Sequence, residues 1–175
     1  MSNILIENLK KKTNNILRPL LKIISKTSIH PTTLTFFSFL TGILAIISLK
    51  QKPYFIFFAA ASLLFDILDG HLARFLHADS ELGKWLDYGA DRSIEFLLIL
   101  FSPANEILIA VTLSLFAIHQ TIFLTKIKTA FFARSLMILF FAFGFFVKGL
   151  YAASGIYISG ILWQVYKIIF SKKHI

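Results

Sequence analysis

The sequence predicts an all-α integral membrane protein: six transmembrane helices preceded by an amphipathic helix at the membrane surface. Three observations carry that prediction. Of 175 residues, 57% are hydrophobic and only 15% charged, against roughly 25% charged in a soluble globular chain. Residues 31–49, 107–125 and 149–166 contain no Lys, Arg, Asp or Glu, and each run approaches the ~20 apolar residues that a spanning helix needs. The runs are continuous, without the alternation of a membrane β-strand. A soluble domain of this length would have to bury all three completely. The length itself fits one domain.

The spans are placed at roughly 32–49, 53–73, 84–102, 106–125, 129–147 and 150–169, with Pro31, Pro53 and Pro103 marking or preceding starts. Residues 31–175 thus form a six-helix transmembrane domain. Residues 1–30 form a separate basic juxtamembrane segment. There Ile6, Leu9, Ile16, Leu20 and Ile24 recur at helical spacing, while Lys10, Lys11, Lys12, Arg18, Lys22 and Lys26 fill other positions. That is the pattern of a helix lying on a membrane surface. The segment lacks the apolar stretch of a signal peptide. With no cysteine in the chain, disulfide frameworks and thiolate metal sites are excluded.

Charge sets the expected orientation. Six basic residues of the N-terminal segment, with Arg74, Lys84, Lys126, Lys128, Lys167, Lys172 and Lys173, make thirteen on one side; Lys50, Lys52 and Lys148 make three on the other. By the positive-inside bias both termini are cytoplasmic, in a cell membrane. The net charge of +9 is then a matter of membrane flanks and anionic lipid. Nucleic-acid binding is not expected, because the basic residues are not gathered on a soluble module.

Against this background the aspartates stand out. Asp66 and Asp69 share a face of the second span, and Asp87 and Asp91 share a face of the third. A charge at the centre of a membrane helix costs about 2.5–3.5 kcal/mol on insertion scales. The link near 74–83 is cytoplasmic by the charge count, so the two spans are antiparallel neighbours and the four carboxylates converge near one end. Such a set needs cations, and two hard divalent ions with oxygen ligands suit it. Pairing with Arg74 and Arg92 leaves two acids over. A proton relay accounts for the acids but not for the glycines. The spacing is not that of an EF-hand loop. Asp79 and Glu81 read as solvated, and Glu95 as paired with Arg92 or at a dimer contact. Gly70 removes a side chain where a ligand approaches, Ala73 is small, Arg74 can fork onto a phosphate, and Gly83 opens the start of the third span.

Together these residues spell D-x2-D-G-x2-A-R-x8-G-x3-D-x3-D: Asp66, Asp69, Gly70, Ala73, Arg74, Gly83, Asp87 and Asp91. This resembles the signature of the CDP-alcohol phosphotransferase (CDP-alcohol phosphatidyltransferase) family at every fixed position. Chance agreement is on the order of once in 10¹⁰ placements. The six-span layout and the basic surface helix extend the resemblance to the whole chain.

The resemblance implies a transferase that moves a phosphatidyl-type group from a CDP-alcohol to an acceptor hydroxyl and releases CMP, in phospholipid biosynthesis. It implies two Mg²⁺ or Mn²⁺ ions held by Asp66, Asp69, Asp87 and Asp91, with Asp91 also the catalytic base. Gly70, Ala73, Arg74, Ser80 and Gly83 would bind the CDP-alcohol. The family's Pro-Asn-x-x-Thr segment reads here Pro31, Thr32, Thr33, Leu34, Thr35, with Thr for Asn, and adds Thr32 and Thr35. The expected donor is CDP-diacylglycerol or CDP-archaeol, the expected assembly a homodimer. Arg92 directly after Asp91 leans the acceptor toward inositol phosphate. Arg134, inside the fifth span, is expected either to pair with Glu95 or to bind an anionic acceptor. Two alternatives stand beside this reading: a family member joining two soluble polar alcohols, and a small metal-binding transporter.

Overall fold

The computed structural model describes residues 19, 21–27, 29–78, 80–124 and 133–171. Among them the regular structure is helical, with no strand. The α-helices that organise the described residues are α1 (Pro31–Ile47), α2 (Lys52–Phe75), α3 (Glu81–Leu100), α4 (Glu106–Leu124), α5 (Ala133–Ala142) and α6 (Phe146–Ser171). Most of the basic segment expected over 1–30 lies outside the described residues. Its helical end, Leu21–Thr27, buries Leu21 against Leu34, Leu68 and Leu72, and leaves Lys22 and Lys26 exposed.

Local chemistry explains most boundaries. Pro31 and Pro53 occupy the first turns of α1 and α2, where a missing N–H costs nothing. The α2 helix ends by a left-handed turn: His77 has φ 51°, and the Ala78 N–H reaches back to the Ala73 carbonyl at 2.9 Å. That closes the last carbonyls of α2 as a glycine cap usually does. Ser80 then caps α3 by accepting the Gly83 N–H at 3.0 Å. This cap starts α3 at Glu81, one turn before the expected start.

The fifth and sixth spans differ from expectation. Gly144, at φ +80°, ends α5 at Ala142, with the Phe145 N–H on the Phe140 carbonyl at 2.9 Å. The Phe-rich run gave no hint of a break, so the sequence reading carried the helix to 147. The α6 helix starts correspondingly early and takes in Lys148.

Packing follows the rules of apolar surroundings, where close approach and interhelical hydrogen bonds replace hydrophobic drive. The α1 helix lies on α2 and α3; α4 and α5 lie on α6; α5 also touches α2 and α3. Between α1 and α2, the Ser62 hydroxyl donates to the Ser38 carbonyl at 2.8 Å and the Ser38 hydroxyl to the Ser62 carbonyl at 3.0 Å. A side chain at Gly42 would run into Ile94, so glycine sets the approach of α1 to α3. Large apolar side chains such as Phe36, Phe57, Ile107, Leu139 and Leu162 remain exposed, which suits a lipid surround.

Among the described residues three helices are long and apolar enough to cross a membrane: Lys52–Phe75, Glu106–Phe123 and Phe146–Phe170, with a fourth only if Leu21–Thr27 and α1 form one bent span. The α1 helix has 17 residues, and α5 has 10 among the described residues. The α3 helix has 20 but carries Glu81, Lys84, Asp87, Asp91, Arg92 and Glu95.

Candidate active site

The short turn between α2 and α3 brings the signature residues together. Asp66, Asp69 and Asp87 each present a carboxylate oxygen, all within 4.8 Å of one another. Asp69 is buried; Asp66 and Asp87 are half-buried. The donor set is all carboxylate oxygen, the chemistry that hard divalent cations take. The Thr35 hydroxyl donates to Asp69 Oδ2 at 2.7 Å.

Asp91 stands one turn further along α3 and is not part of that trio. Its Oδ1 is ion-paired with Arg134 Nη1, and Arg134 Nη2 lies 3.1 Å from Asp66 Oδ2. Arg134, only 4% exposed, therefore ties α5 to both α2 and α3. This corrects the expected alternative that Arg134 pairs with Glu95. Arg134 sits against Asp66 and Asp91, and Glu95 is engaged elsewhere: Arg92 is ion-paired with one of its oxygens and the Tyr157 hydroxyl donates to the other. The expected Arg92–Glu95 pair is present. Among the described residues Arg134 pairs with two of the four aspartates and no ion pair reaches Asp69 or Asp87, leaving negative charge that a divalent ion would offset.

Beside the trio lies a cavity of about 200 Å³. Its walls include Thr32, Thr35, Gly70, Ala73, Arg74, Ser80 and Gly83, the residues assigned to the CDP-alcohol, together with Asp69 and Asp87. Asp66, Asp91 and Arg134 are not part of its lining. A Cβ at Gly70 would meet only the Arg74 guanidinium, at 3.6 Å, an ordinary contact. The protein's own packing therefore leaves Gly70 free to be a glycine for the cavity's sake.

Some residues carry more than their expected role. Ser80 caps α3 while it lines the cavity. Two polar side chains of the cavity, His30 and Lys84, were not expected there. His30 caps α1, its Nδ1 accepting the Thr32 N–H, and lines the cavity. Lys84, counted only as a flanking charge, also lines it and lies 3.1 Å from Glu81. Tyr157 sits in an apolar run, and nothing in its sequence neighbourhood marks it as the partner of Glu95.

No curated protein and no solved structure matches the chain. A family model described as CDP-alcohol phosphatidyltransferase matches residues 28–166. That range contains the cavity lining, all four aspartates, Arg134 and Tyr157. With most of its length matched, the chain belongs to the CDP-alcohol phosphatidyltransferase family and is a transferase.

Proposed function

We propose that the protein moves a phosphatidyl-type group from CDP-diacylglycerol or CDP-archaeol to the hydroxyl of a polar acceptor, with release of CMP, in phospholipid biosynthesis. One observation carries this reading beyond family membership: the residues assigned to the nucleotide line one cavity, and two of the proposed metal ligands, Asp69 and Asp87, stand in its wall.

In this reading Gly70 and Ala73 make room for the diphosphate and Arg74 forks onto it. Thr32, Ser80 and Gly83 border the nucleotide, and Thr35 stands against Asp69. Asp66, Asp69 and Asp87 hold divalent metal, Mg²⁺ or Mn²⁺ in two ions, with Asp91 expected to complete the set. Bound there, the metal supplies charge neutralisation on the diphosphate and on the leaving CMP. The acceptor oxygen forms a bond to the lipid-linked phosphorus as the bond to the CMP oxygen breaks, and Asp91 takes the hydroxyl proton. The acceptor is an inositol phosphate, and Arg134, turning from Asp66 and Asp91, reads its phosphate.

The same reading places six spans over residues 31–175, the 1–30 segment on the membrane surface, both termini and the site on the cytoplasmic side, and two copies in a homodimer. The positive-inside count and the intramembrane aspartates support the first three; the family resemblance supports the dimer. The alternative in which two soluble alcohols are joined differs only in donor. A panel of acceptors against CDP-diacylglycerol, CDP-archaeol and a soluble CDP-alcohol, read by CMP release and product mass in detergent with Mg²⁺, decides among them. CMP release with the soluble donor alone would overturn the lipid assignment.

A further inference from the structure

We infer that Thr35 is a positioning residue for Asp69: its hydroxyl serves the carboxylate and not the nucleotide, and it fixes which carboxylate oxygen is left for the aspartate trio. The inference rests on the metal reading proposed above.

The geometry is a buried hydrogen bond. Thr35 Oγ1 lies 2.7 Å from Asp69 Oδ2, with Thr35 8% and Asp69 5% exposed. A threonine hydroxyl has one hydrogen to give. Once given to Asp69, it is not available to a phosphate oxygen or a base.

The usual partner of a helical hydroxyl is declined. Inside an apolar helix, Ser and Thr turn back to the carbonyl four residues earlier. Thr41, Thr112, Ser114 and Thr121 all do so, at 2.7 to 2.8 Å. Thr35 has the Pro31 carbonyl in the same position, but at 3.4 Å, beyond a good O–H···O bond. Its hydroxyl is turned across the helix interface toward Asp69.

The backbone that presents Thr35 is braced independently of any ligand. Pro31 begins α1, and His30 Nδ1 accepts the Thr32 N–H and lies 2.8 Å from the Thr32 hydroxyl. Asp69 Oδ2 is thus engaged from α1, as Asp66 Oδ2 is engaged by Arg134. Outer partners of this kind fix the orientation of a ligating group, and losing one costs about 10–100-fold in metal affinity.

The test is Mn²⁺ binding to the full-length protein in detergent, without nucleotide or acceptor, read from the EPR signal of free Mn²⁺. Thr35→Val and Thr35→Ala both remove the hydroxyl, and Ala does so without setting a methyl against the carboxylate. Each is expected to weaken Mn²⁺ binding about 10-fold or more, and Thr35→Ser to stay within about 3-fold of wild type. CMP binding at Mn²⁺ concentrations that saturate each protein should be equal in all four. If either folded hydroxyl-free variant binds Mn²⁺ like wild type but loses CMP affinity, Thr35 is a nucleotide contact and the inference falls. If wild type itself binds no Mn²⁺ while still binding CMP, the metal reading fails first and carries this inference with it.

Discussion

Along α3, two sets of charge lie one turn apart and are handled in opposite ways. Arg92 and Glu95 form a closed set: one acid, one base, and the Tyr157 hydroxyl on the second carboxylate oxygen, with Glu95 wholly buried. Asp87 and Asp91 belong to an open set of four acids, in which Arg134 pairs with Asp66 and Asp91 only and one flank faces a cavity. Buried charge that is balanced is a matter of architecture. Buried charge left over beside empty space is kept for something that arrives from outside.

The largest expected effect separates the two sets at once. Stripping divalent metal with EDTA should abolish CMP release while leaving the melting transition of the Glu95 region in place. Full activity after rigorous chelation would refute the two-metal reading. Next comes removal of a member of the closed set. Glu95→Ala leaves the half-buried Arg92 without its carboxylate partner and should cost about 2–3 kcal/mol of stability. Substrate KM values should hold in whatever fraction stays folded. A melting curve beside Michaelis kinetics checks both halves.

The open set should answer in the reverse sense. Asp91→Asn should lower turnover by about 10²-fold or more, as expected for a lost general base, with CDP-alcohol binding nearly intact. Its melting temperature should change little, since the relief of like charge in a crowded group is offset by the lost ion pair to Arg134, which keeps Asp66 as its partner. Normal turnover in this variant would unseat Asp91 as the base. The smallest effect sharpens the boundary between the sets. Arg134→Ala should raise the acceptor KM about 10-fold, or roughly 1.4 kcal/mol, and leave the CDP-alcohol KM nearly unchanged. An unchanged acceptor KM in folded protein would confine Arg134 to holding Asp66 and Asp91.

How much of this could be read in the chain depended on how local the cause was. The helix starts at Pro31 and Pro53 and the shared faces of the aspartates depend on residues a few positions apart, and helical periodicity reports those; the expected residues now found around the cavity were named by the family resemblance, not by spacing. The break at Gly144 was missed because the apolar run continues through it and only the backbone shows the left-handed turn. Arg134 was singled out as needing a reason within the membrane, but its partners were not. Asp66 and Asp91 reach it from two other helices, and no spacing rule relates residue 134 to either. Tyr157 escaped notice for the same cause: its role exists only once α6 lies beside α3. Thr35, expected to bind the CDP-alcohol, lines the cavity with its hydroxyl on Asp69, a partner on another helix that no spacing rule indicates.

The turn at His77 and Ser80 carries one more consequence. Two walls of the cavity are the end of one helix and the beginning of the next, and among the described residues between them the Ala78 N–H is committed to Ala73 and the Ser80 hydroxyl to Gly83. The joint is short. Its length works as a ruler that sets the offset of Asp87 from Asp69, much as a fixed shank sets the gap of a calliper. An extra residue inserted there would change the gap before it touched any carboxylate. Room for a bulkier nucleotide has to come from the third wall, where α1 brings His30, Thr32 and Thr35 to the cavity with no covalent tie to the joint itself.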